Sequence, residues 1–305
     1  MGVITFSQFG RHGRWGNQLC QYAFLACYAR RYGCELQLPP WVGNHLLDAV
    51  NPPITARLPA YREVLSDGPH SHPVAPEGAE IVNHEFRGYA QHHTGWYSEE
   101  ERDAVRLLFA PSGGALQQVQ AATETMAPDE HTWVGLHYRL GDYGRMIFPI
   151  TPLNWYQKWL DSHWEGLVRP KLFIAAEDPK IVDVFREYDP VTTADLGVSL
   201  SGKPMDGYSY LRHDLKVREP WQMDFFPDWY LLSRCNVILA PNSTFSFTAA
   251  MLAPKVQLWR SHLPTQTFRK IDPWDAWPLQ RDWVEHYPDV SGIRHPMGKE
   301  NPRWD

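Results

Sequence analysis

The chain has 305 residues, of which 43% are hydrophobic, and its formal net charge is -6 at pH 7. This length suits two domains better than one compact core. The acidic balance argues against a general nucleic-acid binder, which normally carries a basic surplus, and no segment approaches the ~18–20 apolar residues that span a bilayer.

The amino terminus, MGVITFSQFG, lacks a basic stretch followed by a long apolar run. The sequence therefore predicts a soluble, cytoplasmic protein without a signal peptide. No two cysteines have the CxxC spacing of a metal site, so we interpret them as structural thiols in a reducing compartment. They are Cys20, Cys27, Cys34 and Cys235.

The first half of the chain opens with a β-loop-α-β pattern. VITFSQ predicts a strand, FGRHGRWGNQ a glycine-rich loop, and CELQLP a second strand. Between loop and second strand, apolar residues recur at helical spacing up to Gly33. Such a unit is typical of the start of a doubly wound α/β domain.

The rest of this half carries weaker patterns. Residues 40–80 are rich in Pro, His and Ala and predict irregular loops. A helix is expected from about Ser98, because Ser98 and Glu101 have the spacing of a capping box.

A polar stretch near 110–130 separates this half from a second α/β series. The predicted strands are TWVGLHYR, KLFIAAED, NVILAP and KVQLWR, and the predicted helices are TPLNWYQKWLDSHW, PKIVDVFREY, PDWYLLSRC and STFSFTAAMLA. We therefore predict two doubly wound, Rossmann-type α/β halves facing a cleft. The expected domains are 1–128 and 129–265, with a carboxy-terminal tail, 266–305, packed on the surface.

Loops rich in polar residues follow several of these strands. They cover 9–18, 137–145, 175–178 and 240–246. Because ligands of open α/β sheets bind beyond the carboxyl ends of the strands, we expect these loops to share a site.

The first of these loops has glycines three residues apart, which is not the GxGxxG spacing of a dinucleotide fold. The glycines still allow a ligand to approach the backbone ahead of a helix start, where N–H groups and the helix dipole favour anions. Side-chain donors are added by Arg11, Arg14 and Asn17. The alternative is a simple turn with two solvated arginines.

The segment HYRLGDY offers a sharper chemical hypothesis. Arg139 can bind phosphate oxygens with two charge-assisted hydrogen bonds. A cation there would stabilise a departing diphosphate in the transition state. The chain has no DxD pair to hold a metal for this task, which favours a metal-free site. The alternative is a surface ion pair between Arg139 and Asp142.

Two further loops have both a ligand-binding and a structural interpretation. PNSTFSF places hydroxyls at a helix start, where they either cap the helix or bind phosphate. Glu177 and Asp178 either accept from the ribose and base of a nucleoside or cap the following helix.

Four segments resemble motifs of the α-1,2-fucosyltransferases of glycosyltransferase family 11. GRWGNQLCQYA resembles GRxGNQxxQYA, HYRLGDY resembles HxRRGDY, EFRGYAQ resembles a GYFQ segment, and DWYLLSRCNVILAPNSTFSF resembles DFYLMSxCxxxIxxNSTFSW. The matches follow the family order over roughly residues 10–255.

The resemblance implies a two-domain GT-B-like fold and an inverting, metal-independent fucosyltransferase. The expected reaction moves L-fucose from GDP-β-L-fucose to a glycan hydroxyl, in particular O2 of galactose in an α-1,2 linkage. The expected partners are a GDP-sugar donor and an oligosaccharide acceptor, with no nucleic acid, no membrane span, no cofactor and no metal.

The resemblance also assigns residues. Arg139 matches the arginine that contacts the donor phosphate, and the other donor contacts that the resemblance implies are His137, Asn242, Ser243, Thr244, Ser246 and Phe247. Asp178 is added to the expected donor contacts because it follows the strand KLFIAA. The expected cleft and acceptor side comprises Arg14, Gly16, Asn17, Gln18, Glu85 and Tyr89. Asp142 is the first candidate for the base and Asn17 for orienting the acceptor, with His12 and Glu85 as alternatives.

Three departures keep other functions open. The family's second arginine is Leu140 here, with Arg145 as a candidate replacement, and SDD is replaced by AAED. The aromatic pair after STFS becomes Phe247 and Thr248. The alternatives are a different GDP-sugar donor, a protein Ser/Thr acceptor, or a non-catalytic protein that binds sugar nucleotides or glycans. A nicotinamide-dependent dehydrogenase is disfavoured by the glycine spacing.

Overall fold

The computed structural model describes residues 1–280 except 12, 49, 68–70, 127–129, 142, 144–148, 199–203 and 213–216. The described residues form two compact units. Unit 1 contains residues 1–117, 204–222 and 274–278, and unit 2 contains residues 118–198, 223–273 and 279–280. The domain limits expected from the sequence stay predictions.

Numbered along the whole chain, the strands of unit 1 are β1 (Gly2–Thr5), β2 (Cys34–Gln37), β3 (Ala60–Arg62), β4 (Val64–Leu65), β5 (Pro73–Val74), β6 (His84–Arg87), β9 (Pro204–Arg212) and β10 (Val217–Gln222). Four of them form a parallel sheet in the order β2-β1-β6-β3. The pairs β4–β5 and β9–β10 are antiparallel. The helices of this unit are α1 (Trp15–Arg31), α2 (Gly43–Leu46) and α3 (Glu99–Leu108), while α4 (Gly113–Thr125) runs from unit 1 into unit 2.

The predicted β-loop-α-β opening is confirmed. β1 and β2 are parallel neighbours in the sheet, and the buried helix α1 connects them along the chain. Arg30 and Arg31 lie in the last turn of α1, where positive charge complements the helix dipole. Gly33 follows with φ +62°, a conformation that costs glycine little.

The expectation of irregular loops over 40–80 is wrong in part. This region contains α2 and three short strands, and β3 completes the parallel sheet beside β6. Strands of two or three residues are too short to show an alternating pattern.

The strands of unit 2 are β7 (Trp133–Tyr138), β8 (Lys171–Ala176), β11 (Val237–Ala240), β12 (Gln257–His262) and β13 (Thr267–Ile271). They form one five-stranded sheet in the order β13-β12-β11-β7-β8. The first four run parallel, and β13 pairs with β12 in antiparallel fashion. The helices of unit 2 are α5 (Leu153–His163), α6 (Ile181–Val184), α7 (Phe225–Leu232) and α8 (Thr244–Leu252).

The two Rossmann-type α/β halves predicted from the sequence are confirmed, with two differences in unit 2. The helix expected over PKIVDVFREY is only the single turn α6, followed by a 3-10 turn at Arg186–Tyr188. Asp189 ends that turn with φ +47°. KVQLWR is not the last strand, because β13 follows it. None of the described helices is both long and apolar enough to cross a membrane.

Candidate functional site

The carboxyl ends of four strands of unit 2 meet at one edge of the sheet. The parallel register places Leu136 of β7 opposite Leu239 of β11, and Ala240 opposite Arg260 of β12. On the other side of β7, Tyr138 pairs with Ala176, the last residue of β8. Residues that follow these strands are therefore neighbours in space.

Arg139, directly after β7, lies at this edge and forms an ion pair with Glu177, directly after β8. The second carboxylate oxygen of Glu177 accepts the Leu140 N–H at 2.9 Å. The Arg139 guanidinium carbon lies 5.4 Å from the ring centroid of Tyr143. The arginine side chain is 15% exposed, so its charge is held at a fixed place beside the strand ends.

Gly141 makes this arrangement possible. Its φ is +50°, and a Cβ there would lie 3.0 Å from Glu177 Oε1. A larger residue would therefore meet both backbone strain and the carboxylate.

His137, near the end of β7, is buried and neutral. Its Nδ1 lies 2.9 Å from Ser246 Oγ, and its backbone carbonyl accepts from the Tyr156 hydroxyl at 2.9 Å. Burial, and next the charge of Arg139, lower the pKa of His137 to about 3. This imidazole therefore acts as a hydrogen-bonding group rather than as a base near neutral pH.

The predicted capping role of the PNSTFSF segment is present. Ser243 Oγ accepts the Phe245 N–H at 3.3 Å and caps α8. The Asn242 side chain exchanges hydrogen bonds of 2.7 and 2.9 Å with the backbone of Gln280. The backbone carbonyl of Asn242 accepts from the Tyr143 hydroxyl at 2.6 Å.

The remaining donor-side residues pack at the start of α8 or cap a turn. Thr244, Ser246 and Phe247 are buried in the first turns of α8. Asp178 Oδ1 accepts the Lys180 N–H at 3.0 Å in the turn before α6, whereas α6 itself begins at Ile181 without a side-chain cap.

Unit 1 gathers its candidate residues at the carboxyl edge of its own sheet. Asn17 Oδ1 accepts from Gln91 Nε2 at 2.6 Å, which joins the first turn of α1 to the segment after β6. Gln18 is fully buried and donates to the carbonyls of Gly10 and Gly13, at 3.3 and 3.2 Å. Gln18 therefore closes the glycine-rich loop, whereas Asn17 is half-buried beside it.

Two more acceptor-side candidates surround the start of α1. Arg14 is the residue before this helix, is half-buried, and makes no side-chain cap bond. Gly16 is buried in the first turn.

Glu85 of β6 forms hydrogen bonds that stabilise the sheet of unit 1. It is buried and accepts from the Thr5 hydroxyl, from the Ser7 N–H at 3.0 Å and from the Ser7 hydroxyl at 2.5 Å. Arg87 adds a contact at 3.5 Å. These contacts hold the exit of β1 against β6 and favour a structural role over that of a base.

Comparisons with known proteins identify relatives by sequence and by fold. No family model matches the chain. Galactoside alpha-(1,2)-fucosyltransferase 1 of Plecturocebus brunneus is 25% identical over 301 residues, covering 92% of this chain and 75% of the relative. The protein of the same name from Gorilla gorilla gorilla is 25% identical over 302 residues with the same coverage.

Solved structures share the fold. Fucosyltransferase NodZ from Bradyrhizobium has a TM-score of 0.54 at 16% identity, covering 89% of this chain and 99% of NodZ. A mutant of Arabidopsis thaliana FUT1 in complex with GDP has a TM-score of 0.55 at 10% identity, covering 90% of this chain and 75% of that one. The resemblance to the fucosyltransferases is confirmed.

Three functional candidates of this fucosyltransferase-like chain lie outside the described residues. They are the predicted base Asp142, the alternative base His12 and the replacement cation Arg145. Among the residues that the structure does describe, no group of three His, Cys, Asp or Glu side chains is arranged to hold a metal ion.

Sequence reasoning missed two carboxylates. Asp228, in α7, is half-buried and accepts from the Thr193 hydroxyl. Desolvation, with a further contribution from the charge of Asp224, raises its pKa to about 7. Its place as the first residue of the matched motif DWYLLSRC was the signal that could have found it.

The second missed carboxylate is Glu63, directly after β3. It accepts the N–H groups of Tyr89, at 2.6 Å, and Ala90, at 3.0 Å, and lies 3.1 Å from His92 Nε2. It stands in the region expected to be irregular, so no pattern in the sequence pointed to it.

Proposed function

We propose that this protein is an inverting glycosyltransferase that moves L-fucose from GDP-β-L-fucose to a glycan hydroxyl without a metal ion. The observation that carries the proposal is the position of Arg139, a fixed cation at the carboxyl edge of the unit 2 sheet, beside the start of α8. The names of the sequence relatives, galactoside alpha-(1,2)-fucosyltransferase 1, support a galactose acceptor and an α-1,2 linkage.

In this mechanism Arg139 binds the diphosphate of the donor. The acceptor oxygen attacks the anomeric carbon while the bond from that carbon to the β-phosphate oxygen breaks. The bonding electron pair leaves with GDP, and the acceptor proton goes to a base, for which Asp142 is the candidate. Because negative charge grows on the departing phosphate, the guanidinium stabilises the transition state more than the ground state.

Glu177 determines how the Arg139 side chain is oriented. Oε1 of its carboxylate pairs with NH1 of the guanidinium, and Oε2 accepts the Leu140 N–H, so Glu177 orients the arginine beside the strand ends. On the acceptor side, Gln91 donates to the Asn17 carbonyl oxygen and fixes this side chain, and Asn17 is the candidate for orienting the acceptor.

The first test is Arg139→Ala, assayed for fucose transfer to a galactose-terminated glycan. We expect a loss of about 10²-fold or more in kcat, the scale found when one transition-state donor is removed. Arg186→Ala, which removes a highly exposed arginine of the same unit, is the control. Transfer by a folded Arg139→Ala protein at near the control rate would refute the role of Arg139.

The second test addresses the donor and the linkage. The protein is offered GDP-fucose, GDP-mannose and GDP-rhamnose, and the product linkage is determined by NMR. The proposal predicts turnover with GDP-fucose and an α-1,2 product. Turnover with another GDP-sugar, or on a protein Ser/Thr, would move the assignment to a different transferase.

A non-catalytic role is the second candidate, because Leu140 replaces the family's second arginine. Leu140 packs against the apolar core of unit 2, so its position supplies no charge to a donor. Tight binding of GDP without turnover on any acceptor would favour this alternative.

A further inference from the structure

Tyr143 lies in the loop after β7 and contacts both Arg139 and the segment before α8. Its ring centroid lies 5.4 Å from the Arg139 guanidinium carbon, within the range of a cation–π interaction. Its hydroxyl donates to the backbone carbonyl of Asn242 at 2.6 Å, and Asn242 precedes Ser243, the N-cap of α8. The ring therefore bridges the loops that follow the neighbouring strands β7 and β11.

Further contacts fix the position of the Tyr143 ring. The backbone N–H of Tyr143 donates to the Leu140 carbonyl at 2.7 Å, which closes a turn in which Gly141 has φ +50°. The side chain also packs against the hydrophobic core of unit 2. Because the backbone end and the hydroxyl end of this residue are both hydrogen-bonded, the ring offers the guanidinium a fixed surface.

The carbonyl that accepts from the Tyr143 hydroxyl is itself held in place. The Asn242 side chain exchanges hydrogen bonds of 2.7 and 2.9 Å with the Gln280 backbone, and Asn242 is only 8% exposed. The next residue, Ser243, caps α8 through the Phe245 N–H. The hydrogen bond from Tyr143 therefore ties the loop after β7 to the first turn of α8.

The charge of Arg139 is useful to a reaction only where it is placed. Glu177 pairs with the guanidinium, and the Tyr143 ring adds a second contact. A cation stabilises a departing diphosphate most when it is already in position, because no reorganisation is then needed as the bond breaks. Ordering a mobile arginine would also cost side-chain entropy. Contacts that hold the guanidinium therefore contribute to the transition state without touching the substrate.

We propose that Tyr143 is a positioning residue that sets the place of Arg139 relative to the start of α8. This inference rests on the proposed function, in which Arg139 binds the diphosphate of the donor beside that helix. The ring orients the guanidinium, and the hydroxyl fixes the ring to the segment before α8. Loss of the hydroxyl loosens this arrangement, and loss of the ring also removes a contact of the guanidinium.

The experiment compares Tyr143→Phe, which removes the hydroxyl, with Tyr143→Leu, which also removes the ring. The control is Tyr188→Phe in the same unit, because Tyr188 is half-buried and donates to the exposed Asp161. Titration calorimetry with the full-length protein measures the affinity for GDP. Steady-state kinetics measures kcat and the KM of both substrates.

We expect GDP affinity and kcat to fall about threefold or more in Tyr143→Phe, the scale of one net hydrogen bond. In Tyr143→Leu they should fall about tenfold or more, because the cation–π contact is lost as well. The KM for the acceptor should stay at the control value in both variants. A merely structural role would not produce this split, since partial unfolding lowers donor and acceptor use together.

A second measurement follows Arg139 itself and needs no turnover. The Nε–H resonance of Arg139 in ¹H–¹⁵N NMR spectra is assigned with Arg139→Lys. Tyr143→Leu should shift this resonance strongly, because an aromatic ring beside the guanidinium is removed. Tyr143→Phe should shift it less, and Tyr188→Phe should leave it in place.

An unshifted Arg139 resonance in Tyr143→Leu would overturn the proposal, and so would GDP affinities of both variants equal to that of the control. If Tyr143→Leu fails to fold, as judged by circular dichroism, Tyr143→Phe decides between these outcomes, because it keeps the packing of the ring. A wild-type protein that binds GDP but transfers no fucose would refute the proposed function alone, since GDP affinity and the Arg139 resonance still report on Tyr143.

Discussion

His137 and Asp228 have pKa values shifted toward each other's ordinary range, with opposite effects on stability. Between the ordinary His value of 6.5 and about 3, the unfolded chain binds a proton that folded His137 does not. The contribution of His137 to stability therefore falls as the pH drops through this window. Between about 7 and the ordinary Asp value of 3.8, folded Asp228 holds a proton that the unfolded chain lacks, so its contribution rises as the pH drops.

These opposite signs predict the behaviour of single variants. On going from pH 7 to pH 5, His137→Gln should lose about 2 kcal/mol less stability than the wild type, since each pH unit is worth about 1.4 kcal/mol per proton. Asp228→Asn should lose more than the wild type. Urea unfolding at both pH values measures this, with the exposed His45→Gln as the control. Parallel pH dependences for His137→Gln and the control would contradict the prediction.

The pairing of Arg139 with Glu177 shows how far single residues were predictable. The sequence pointed to Arg139 and to the carboxylates Glu177 and Asp178, because charged residues that directly follow an apolar strand are easy to recognise. For the ion pair of Arg139, however, it predicted Asp142, three positions along the chain, as the alternative to a ligand. The contact with Glu177, 38 residues away, depends on the pairing of β7 with β8, which a local pattern does not contain.

Among the helices and strands, α3 allows the contribution of a predicted N-terminal cap to the free energy of unfolding to be tested. The capping box is present, with Ser98 Oγ accepting from the Glu101 N–H at 3.3 Å and Glu101 accepting from the Ser98 N–H at 2.9 Å. Ser98→Ala should lower the free energy of unfolding by about 1 kcal/mol. Ser162→Ala, in an exposed helical position, is the control. A melting temperature for Ser98→Ala equal to that of the control would show that the cap contributes nothing.

The elements that escaped prediction have a physical reason in common. β13 reads TFRKI, and charged residues on an edge strand prevent pairing with other chains while they hide the alternating apolar pattern. β9 and β10 contain Gly207 and Pro220, residues that normally argue against a strand. By contrast, β7 and β11 are buried along their whole length, and their apolar runs were found.

At the scale of the whole molecule, the chain leaves unit 2 to place residues 274–278 in unit 1. Thr94 holds this segment, because its hydroxyl donates to the Ala276 carbonyl at 2.9 Å and accepts the Ala276 N–H at 3.0 Å. Its backbone N–H donates to the same carbonyl at 2.9 Å. Thr94 is 1% exposed, so no water replaces a lost partner.

Thr94→Val should therefore destabilise unit 1 by about 1–3 kcal/mol, since it leaves the buried Ala276 N–H without its acceptor. Differential scanning calorimetry detects this as a lower melting temperature. The control is Thr125→Val, whose hydroxyl is exposed and bonds within its own helix. Equal melting temperatures for the two variants would refute the anchoring role of Thr94.

The carboxylate of Glu63 joins distant parts of unit 1. It accepts the successive N–H groups of Tyr89 and Ala90, and this contact stabilises Ala90 at φ +51°. The next residue, Gln91, donates its side-chain amide to Asn17. Gly88 has no space for a methyl group against this acid, because a Cβ would lie 2.4 Å from that of Glu63. Glu63 therefore connects the segments after β3 and β6 to the first turn of α1, so a substitution at Glu63 is expected to displace Asn17, more than 40 residues away along the chain.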